Sequence, residues 1–292
     1  MLTHIFFSGS HIWGISYVGI IKYIKFFPYK FKFIKDFGGV SFGSIIALML
    51  ALQIPINMIE EVFYKQSKDY DFRFNNINNV INIIDDKGME SSYKYLIHLK
   101  QYIKDTYDQD DLTFIELSKK LGNNLHVTAL SINTGEIELF NTDNTPDVSI
   151  LDAVCASISI PIVSTPCKIN KSFYCDPCLI NNNILDFFDH IPKKQILSVI
   201  NKLNITLNQN YNDMNTLQYF DNLFKIILKK HYYITSLKYI NDFTLVIKNH
   251  DNLVNIIVND KGILLDYNEN TIDICSLHGF NLISEWIINN NI

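Results

Sequence analysis

The sequence predicts an α/β fold. A strand, a loop of small residues, a helix, a second strand, a tight turn and a second helix follow one another within about fifty residues, and this alternation is typical of strand–helix–strand units. The 292 residues, 48% of them hydrophobic, are sufficient for one full core. The sequence has no clear linker, so we expect one domain over residues 1–292.

The amino-terminal elements follow from apolar spacing and helix-breaking residues. Val18, Ile21 and Ile24 recur at the spacing of a buried helix face, and Pro55 ends the second helix. In chain order we predict a strand at His4–Phe7, a loop at Ser8–Gly14, a helix at Ser16–Phe26, a strand at Phe33–Phe37 and a helix at Ser44–Leu52.

Ser41 lies between two glycines at the predicted turn from the second strand into the second helix. Gly39 and Gly43 complete a G-x-S-x-G pattern, in which the glycines permit a tight turn that exposes the serine hydroxyl. The amino terminus of the following helix favours a developing negative charge. Ser41 is therefore a candidate nucleophile, and a small serine packed beneath a helix is the alternative interpretation.

Four motifs in this order resemble those of patatin-like phospholipases. They are the loop and first helix at Phe7–Gly19, the elbow at Gly39–Gly43, the Ala-Ser-x-x-x-Pro segment within Asp152–Pro161, and the aspartate block with its asparagines at Tyr174–Asn183. A weaker similarity is present at Lys261–Asp266. The resemblance implies a three-layer α/β/α fold with a mainly parallel central sheet.

The resemblance also implies a mechanism. Ser41 would be the nucleophile, Asp176 the base that accepts its proton, and the N–H groups of Gly9, Ser10 and His11 the oxyanion hole. The implied activity is that of a phospholipase A-type lipid acyl hydrolase acting through an acyl-serine intermediate. The implied substrate is a phospholipid or another acyl lipid, and neither a metal nor an organic cofactor is implied.

Two departures from the family pattern suggest a second hypothesis. The loop has Ser10 and His11 where glycines are usual and Trp13 where a basic residue is usual, and Pro177 and Cys178 follow Asp176 where glycine or alanine is usual. These changes are compatible with a catalytically weak or inactive lipid-binding or structural protein. Transfer of the acyl group to an alcohol or lysolipid is a third hypothesis.

Cysteines and histidines suggest other chemistry. Cys175 and Cys178 have C-x-x-C spacing, but neither an amphipathic helix nor paired zinc-binding knuckles accompany them, so we expect reduced, mostly buried thiols. Histidines follow Asp176 in the order of a Ser-Asp-His triad, and none of them lies in a motif. We expect His190, His231, His250 and His278 to be structural or surface histidines. His11 is the strongest candidate for a functional role, because it lies in the loop of small residues.

Charge and hydropathy limit the partners. The net charge of −5 gives no basic surface for nucleic acid. The longest strictly apolar run, Ile45–Leu52, is too short to span a membrane. The amino terminus lacks a charged region and a cleavage site, which predicts an intracellular, cytoplasmic protein without a signal peptide.

Lysines alternate with aromatic residues over Lys22–Lys35, just before the elbow. Lysine and aromatic rings suit a membrane interface, so peripheral contact with lipid is one hypothesis. A helix end followed by an edge strand with lysines facing water is the other. The oligomeric state is not predictable from these residues.

The remaining elements complete the predicted fold. Thr113 and Glu116 form a capping-box pattern for a helix that ends at Gly122. We predict helices at Pro55–Lys65 and Ser91–Tyr107, an inserted loop or lid at Asp71–Asp86, a hairpin of Leu125–Leu130 with Glu136–Phe140, strands at Gln195–Ile200, Phe243–Ile247 and Leu253–Val258, and helices at Thr216–His231 and Gly279–Asn289. The motif-bearing core thus occupies about 1–190, and residues 191–292 complete or cover the sheet.

Overall fold

A computed structural model describes most of the chain. The described residues are 1–10, 14–69, 71–73, 82–202, 239–241, 243–248, 255–259, 262–266 and 269–292, with isolated positions between 214 and 230. The strands are β1 (His4–Phe7), β2 (Asp36–Val40), β3 (Asp71–Arg73), β4 (Gly88–Glu90), β5 (Asn124–Ser131), β6 (Ile137–Phe140), β7 (Ile162–Ser164), β8 (Cys167–Ile169), β9 (Ser172–Cys175), β10 (Ile196–Lys202), β11 (Thr244–Lys248), β12 (Asn255–Asn259) and β13 (Gly262–Asp266). The helices are α1 (Ser16–Phe26), α2 (Pro28–Phe31), α3 (Phe42–Ala51), α4 (Ile56–Asp69), α5 (Ile97–Tyr107), α6 (Phe114–Leu121), α7 (Ile150–Ser157) and α8 (Glu269–Asn289).

Within the described residues, eight strands form the main sheet in the order β11-β10-β1-β2-β5-β9-β8, with β6 also paired to β5. The pairings from β11 through β5 are parallel, and those of β5 with β6 and β9, and of β9 with β8, are antiparallel. The predicted mainly parallel α/β class is confirmed. Because β1, β2 and β5 run in the same direction, their carboxyl ends meet at one edge of the sheet, where α/β proteins bind ligands.

The second strand lies three residues later than predicted. A turn that follows α2, closed by the bond from the Ile34 N–H to the Phe31 carbonyl, occupies the predicted start of the strand. The strand instead includes Gly38 and Gly39, residues that normally weaken a strand. Glycine is favoured at position 38 because the Phe6 ring lies against it, and a Cβ on Gly38 would collide with that ring.

Several local predictions are confirmed. The Thr113 side chain and Glu116 form the capping box of α6, which ends at Gly122 in the left-handed conformation. The hairpin of β5 and β6 forms as predicted, as does the first helix, Ser16–Phe26. Residues 92–96 add a 3₁₀ turn before α5, in place of a single helix from Ser91.

Most helices cover one face of the sheet. Every residue of α3 is buried, and this helix packs on β1, β2 and β5. The opposite face, within the described residues, carries a smaller cluster that joins Phe6 and Val40 of the sheet to Ile184 and Phe188 of the segment after β9.

The helices α1 and α8 cross with their backbones in contact. A Cβ on Gly19 would lie 1.8 Å from the Ser276 carbonyl oxygen, and one on Gly279 would lie 1.9 Å from the Ser16 carbonyl oxygen. Only glycine permits so close an approach. The predicted helix at Gly279–Asn289 is therefore the second half of a longer helix that covers α1.

The predicted lid is partly wrong. Its first residues form β3, which pairs with β13 in a separate three-stranded antiparallel sheet with β12. Residues 82–85 are helical, and 74–81 lie outside the described residues. In the predicted helix at Thr216–His231, the described positions 218, 219, 222, 223, 225–227, 229 and 230 are all helical, and the predicted strands near 195, 243 and 253 are present as β10, β11 and β12.

Candidate active site

Ser41 occupies a sharp turn between β2 and α3. Its backbone φ of 51° and ψ of −128° are unusual for a residue with a side chain. The Ser41 N–H donates a hydrogen bond of 2.9 Å to the Ser157 hydroxyl at the end of α7. A contact from a second helix thus helps to hold the strained turn.

Gly39 and Gly43 allow this turn to lie close to the first strand. A Cβ on Gly39 would be 2.1 Å from the Gly43 carbonyl oxygen, and a Cβ on Gly43 would be 2.4 Å from the Phe7 carbonyl oxygen. Both contacts are with backbone, which cannot move aside. The glycine positions of the predicted elbow are therefore required by packing.

Asp176 faces Ser41 from the other side of β5. The Ser41 hydroxyl donates to Asp176 Oδ2 at 2.5 Å, and the Cys178 N–H donates to Asp176 Oδ1 at 2.9 Å. The Asp176 N–H donates in turn to the Ser159 carbonyl at 2.8 Å. Ser41 is 5% exposed and Asp176 2% exposed, so the pair is largely removed from water.

Burial changes the acidity of Asp176. Removal from water raises the pKa of its carboxyl group from 3.8 to about 6, whereas the hydrogen bonds from the Ser41 hydroxyl and the Cys178 N–H act in the opposite direction. A carboxylate with a pKa near 6 is a stronger base than an exposed aspartate and is still ionised at neutral pH.

Pro177 is compatible with this geometry. It begins a 3₁₀ turn, Pro177–Leu179, for which Asp176 is the N-cap, and a proline at the start of a helical turn sacrifices no hydrogen bond. Asp176 has a ψ of 125°, within the extended range that a following proline favours. The departure from Asp-Gly therefore leaves the carboxylate within hydrogen-bond distance of Ser41.

Gly9 lies directly against the serine. A Cβ on Gly9 would be 3.2 Å from Ser41 Cβ, 2.4 Å from Cys178 Sγ and 2.2 Å from Asn182 Oδ1. Three residues were predicted to form the oxyanion hole. Of these, Gly9 is thus adjacent to the Ser41–Asp176 pair, here called the dyad, and Ser10, the next residue, is buried. His11, like Trp13, lies outside the described residues.

Sequence reasoning missed three residues of the site, namely Ser157, Cys178 and Asn182. Ser157 belongs to the Ala-Ser segment of the family motifs, but nothing in the sequence indicated its bond to the Ser41 backbone. Cys178 appeared to be an ordinary buried thiol, yet its Sγ donates to Asn182 Oδ1 at 3.0 Å. Burial and the nearby Asp176 carboxylate raise the pKa of this thiol well above its usual value.

The described histidines of the sheet lie away from the dyad. His4 and His126 approach the Asp36 carboxylate, with His126 Nε2 at 3.0 Å and His4 Nε2 at 3.8 Å, and His190 stacks on the nearby Phe188. This cluster lies at the amino ends of β1 and β2, opposite Ser41. Of the other histidines weighed as catalytic, His231 and His250 lie outside the described residues, and His278 is in α8.

The lysine-rich aromatic stretch also lies at the amino end of the sheet. It forms the end of α1, the helix α2 and the turn before β2, with Phe26, Tyr29 and Phe33 exposed. The alternative of an edge strand is wrong, because β2 lies between β1 and β5. A membrane bound by these residues would lie at the opposite end of β2 from Ser41.

No described helix has the length and apolar character needed to cross a membrane. No group of three histidine, cysteine, aspartate or glutamate side chains in the described part of the chain is arranged to hold a metal ion.

Fold and site together define an α/β protein that presents a serine at the carboxyl edge of a parallel sheet, hydrogen-bonded to a buried aspartate. The family model for patatin-like phospholipases matches residues 5–189. This match covers more than half of the chain, which therefore belongs to the patatin-like phospholipase family.

Two viral proteins are similar to this chain in sequence. "Probable lipid hydrolase 463L" of Invertebrate iridescent virus 6 is 30% identical over 189 residues, which are 61% of this chain and 60% of that protein. "Uncharacterized protein R571" of Acanthamoeba polyphaga mimivirus is 28% identical over 212 residues, 72% of this chain and 67% of its own length. The chain thus matches about three fifths of the length of the probable lipid hydrolase.

Solved structures share the fold. VipD from Legionella pneumophila aligns with 99% of this chain and 67% of its own, with a TM-score of 0.57 and 15% identity. The ExoU–SpcU complex of the type III secretion system of Pseudomonas aeruginosa aligns with 99% of this chain and 51% of the matched chain, with a TM-score of 0.50 and 14% identity. At these identities the similarity concerns the fold.

Proposed function

We propose that this protein is a lipid acyl hydrolase, a phospholipase A-type esterase that uses Ser41 and Asp176. The observation that carries the proposal is the hydrogen bond of 2.5 Å from the Ser41 hydroxyl to the buried Asp176 carboxylate, in a chain of the patatin-like family. The similarity to a probable lipid hydrolase of Invertebrate iridescent virus 6 supports the lipid substrate.

In the first half-reaction, Asp176 accepts the Ser41 proton as Oγ forms a bond to the ester carbonyl carbon. The N–H groups around Gly9 and Ser10, with His11, stabilise the oxyanion, helped by the amino terminus of α3. Collapse of the tetrahedral intermediate breaks the ester C–O bond, and Asp176 returns the proton to the departing alcohol. The products are a lysolipid and acyl-Ser41.

In the second half-reaction, Asp176 accepts a proton from water, and the hydroxide oxygen bonds to the acyl carbon. The bond between Ser41 Oγ and the acyl carbon then breaks, and the proton returns to Ser41. The fatty acid leaves and the dyad is regenerated. Every proton transfer uses the same carboxylate, so no histidine is needed.

A fluorophosphonate probe tests the nucleophile. We expect the probe to phosphonylate Ser41 Oγ with loss of fluoride, and the wild-type protein to release fatty acid from mixed phospholipid vesicles. Ser41→Ala should lose both reactions, whereas Ser118→Ala, which alters a serine bonded to Asn124 outside the site, should keep them. Peptide mass spectrometry locates the adduct. An unlabelled Ser41 together with no release above the Ser41→Ala level would contradict the proposal.

The pH profile tests the base. Because the pKa of Asp176 is raised to about 6, kcat/KM should be constant above pH 7 and fall about tenfold per pH unit well below pH 6, as the carboxyl group becomes protonated. Initial rates on a soluble ester between pH 4.5 and 8.5 measure this acid limb. A profile that stays flat down to pH 4.5 would argue against Asp176 as the base.

A further inference from the structure

Asn182 connects the two halves of the proposed active site. It lies six residues beyond Asp176, is 5% exposed, and its Nδ2 donates a hydrogen bond of 2.7 Å to the Gly9 carbonyl. The segment that carries the base is therefore joined, through one side chain, to the loop that carries the predicted oxyanion donors. The two residues are 173 positions apart in the chain.

The orientation of the Asn182 amide is fixed by a second contact. Its Oδ1 accepts a hydrogen bond of 3.0 Å from the Cys178 thiol. This thiol stays protonated at neutral pH, because burial beside the Asp176 carboxylate raises its pKa. A reversed amide would direct Oδ1 at the Gly9 carbonyl and Nδ2 at a donor, so both contacts favour one orientation.

The Gly9 carbonyl is also held from the sheet. Ser8 Oγ donates to it at 3.2 Å, and Ser8 Oγ in turn accepts from the Asn201 N–H at 3.1 Å. Two donors, one on the segment after β9 and one next to Gly9 in the chain, therefore fix the direction of this carbonyl. In a trans peptide the carbonyl of one residue and the N–H of the next point in opposite directions, so the same contacts fix the direction of the Ser10 N–H.

We propose that Asn182 is a positioning residue for the oxyanion-binding N–H of Ser10, and that Cys178 holds the Asn182 amide in the productive orientation. The inference rests on the proposed hydrolase function and assigns Asn182 no contact with substrate. Its effect is on the transition state, where the oxyanion exists, rather than on binding of the uncharged ester.

Steady-state kinetics on a soluble ester test the inference. Asn182→Ala should lower kcat by roughly 10- to 100-fold and change KM by less than about threefold, because the loop loses one of its two anchors. The acid limb near pH 6 should not move, since the contacts of Asp176 remain. Asn181→Ala is the matched control, because the Asn181 side chain bonds Asp186 and the Asn183 N–H instead; it should keep wild-type kinetics.

Cys178 offers a test that leaves Asn182 in place. Cys178→Ala removes the donor to Asn182 Oδ1 and should lower kcat, whereas Cys178→Ser keeps a donor and should recover most of the loss. Because the thiol also bonds the Asp176 carboxylate and lowers its pKa, the two variants are compared well above pH 7, where Asp176 is ionised in both. This pair also applies if Asn182→Ala does not fold.

Three results would overturn the inference, and a fourth would overturn its basis. The first is a kcat of Asn182→Ala within threefold of wild type. The second is a change in KM, or in the position of the acid limb, that is as large as the change in kcat of Asn182→Ala. The third is equal activity of Cys178→Ala and Cys178→Ser. In all three, wild-type hydrolysis and Ser41 labelling would leave the proposed function standing. A wild-type protein with neither reaction would refute the proposed function itself.

Discussion

Asp176→Asn is expected to lose about 10³- to 10⁴-fold in kcat/KM at pH 7.5, because an amide cannot accept the Ser41 proton. The geometry should survive, since the new side chain keeps an oxygen for the Cys178 N–H and gains an N–H that can donate to Ser41 Oγ. Initial rates on a soluble ester measure the loss. Activity within tenfold of wild type would show that another group acts as the base.

The same substitution is expected to stabilise the fold at neutral pH. In the folded protein the pKa of Asp176 is about 6, above its ordinary value of 3.8, so the folded state binds the proton more tightly than the unfolded state. This raised pKa lowers stability progressively as pH rises from about 4 to about 6, and the full penalty, at most about 3 kcal/mol, is present above that range. Asp176→Asn removes the penalty.

Chemical denaturation at several pH values measures this effect. The variant should exceed wild type by about 1–3 kcal/mol at pH 7.5, and the difference should vanish near pH 4. Asp111→Asn is the matched control, because burial also raises the pKa of Asp111 to about 6, and its side chain bonds Ser149 and Leu112 away from the dyad. It should change stability while leaving kcat/KM unchanged. A difference for Asp176→Asn that is independent of pH would contradict the explanation.

Gly279→Ala is expected to destabilise the protein by at least about 3 kcal/mol, because its Cβ would lie 1.9 Å from the Ser16 carbonyl oxygen. Relief requires α8 to move away from α1, and that movement opens a gap in the surrounding core. Thermal and chemical unfolding measure the loss.

Leu277→Ala is the control for this substitution. It alters the same helix at a side chain that is 62% exposed, and it should change stability by less than about 0.5 kcal/mol. Equal stability of Gly279→Ala and wild type would mean that the two helices do not cross in contact.

Local signals were sufficient for many elements. The capping box at Thr113, the periodic apolar face of α1 and the turn residues between β5 and β6 act over a few residues, and each predicted its element. The predicted position of β2 was wrong, because Gly38 and Gly39 normally weaken a strand and were therefore left out of it. What favours them is the approach of Phe6 and of the Gly43 carbonyl, and both are tertiary contacts.

The candidate site was only partly predictable. Ser41 and Asp176 were named through the order of the family motifs, and the structure brings them within hydrogen-bond distance, whereas their catalytic roles remain predictions. Asn182 could not be identified, because its significance lies in a bond to a residue near the amino terminus. Cys178 was expected to be a reduced, buried thiol, and no local signal indicated that this thiol donates a hydrogen bond to Asn182.

The position of β1 has a consequence for synthesis of the chain. The strand is made before β2 and β10, between which it lies, and β10 is encoded roughly 190 residues later. At about 5–20 residues per second, one edge of β1 stays open for about 10–40 s while the ribosome completes its neighbour. An open edge on an apolar strand invites wrong pairing. On the ribosome, the unit that can fold therefore extends through β10, beyond the segment 5–189 that the family model matches.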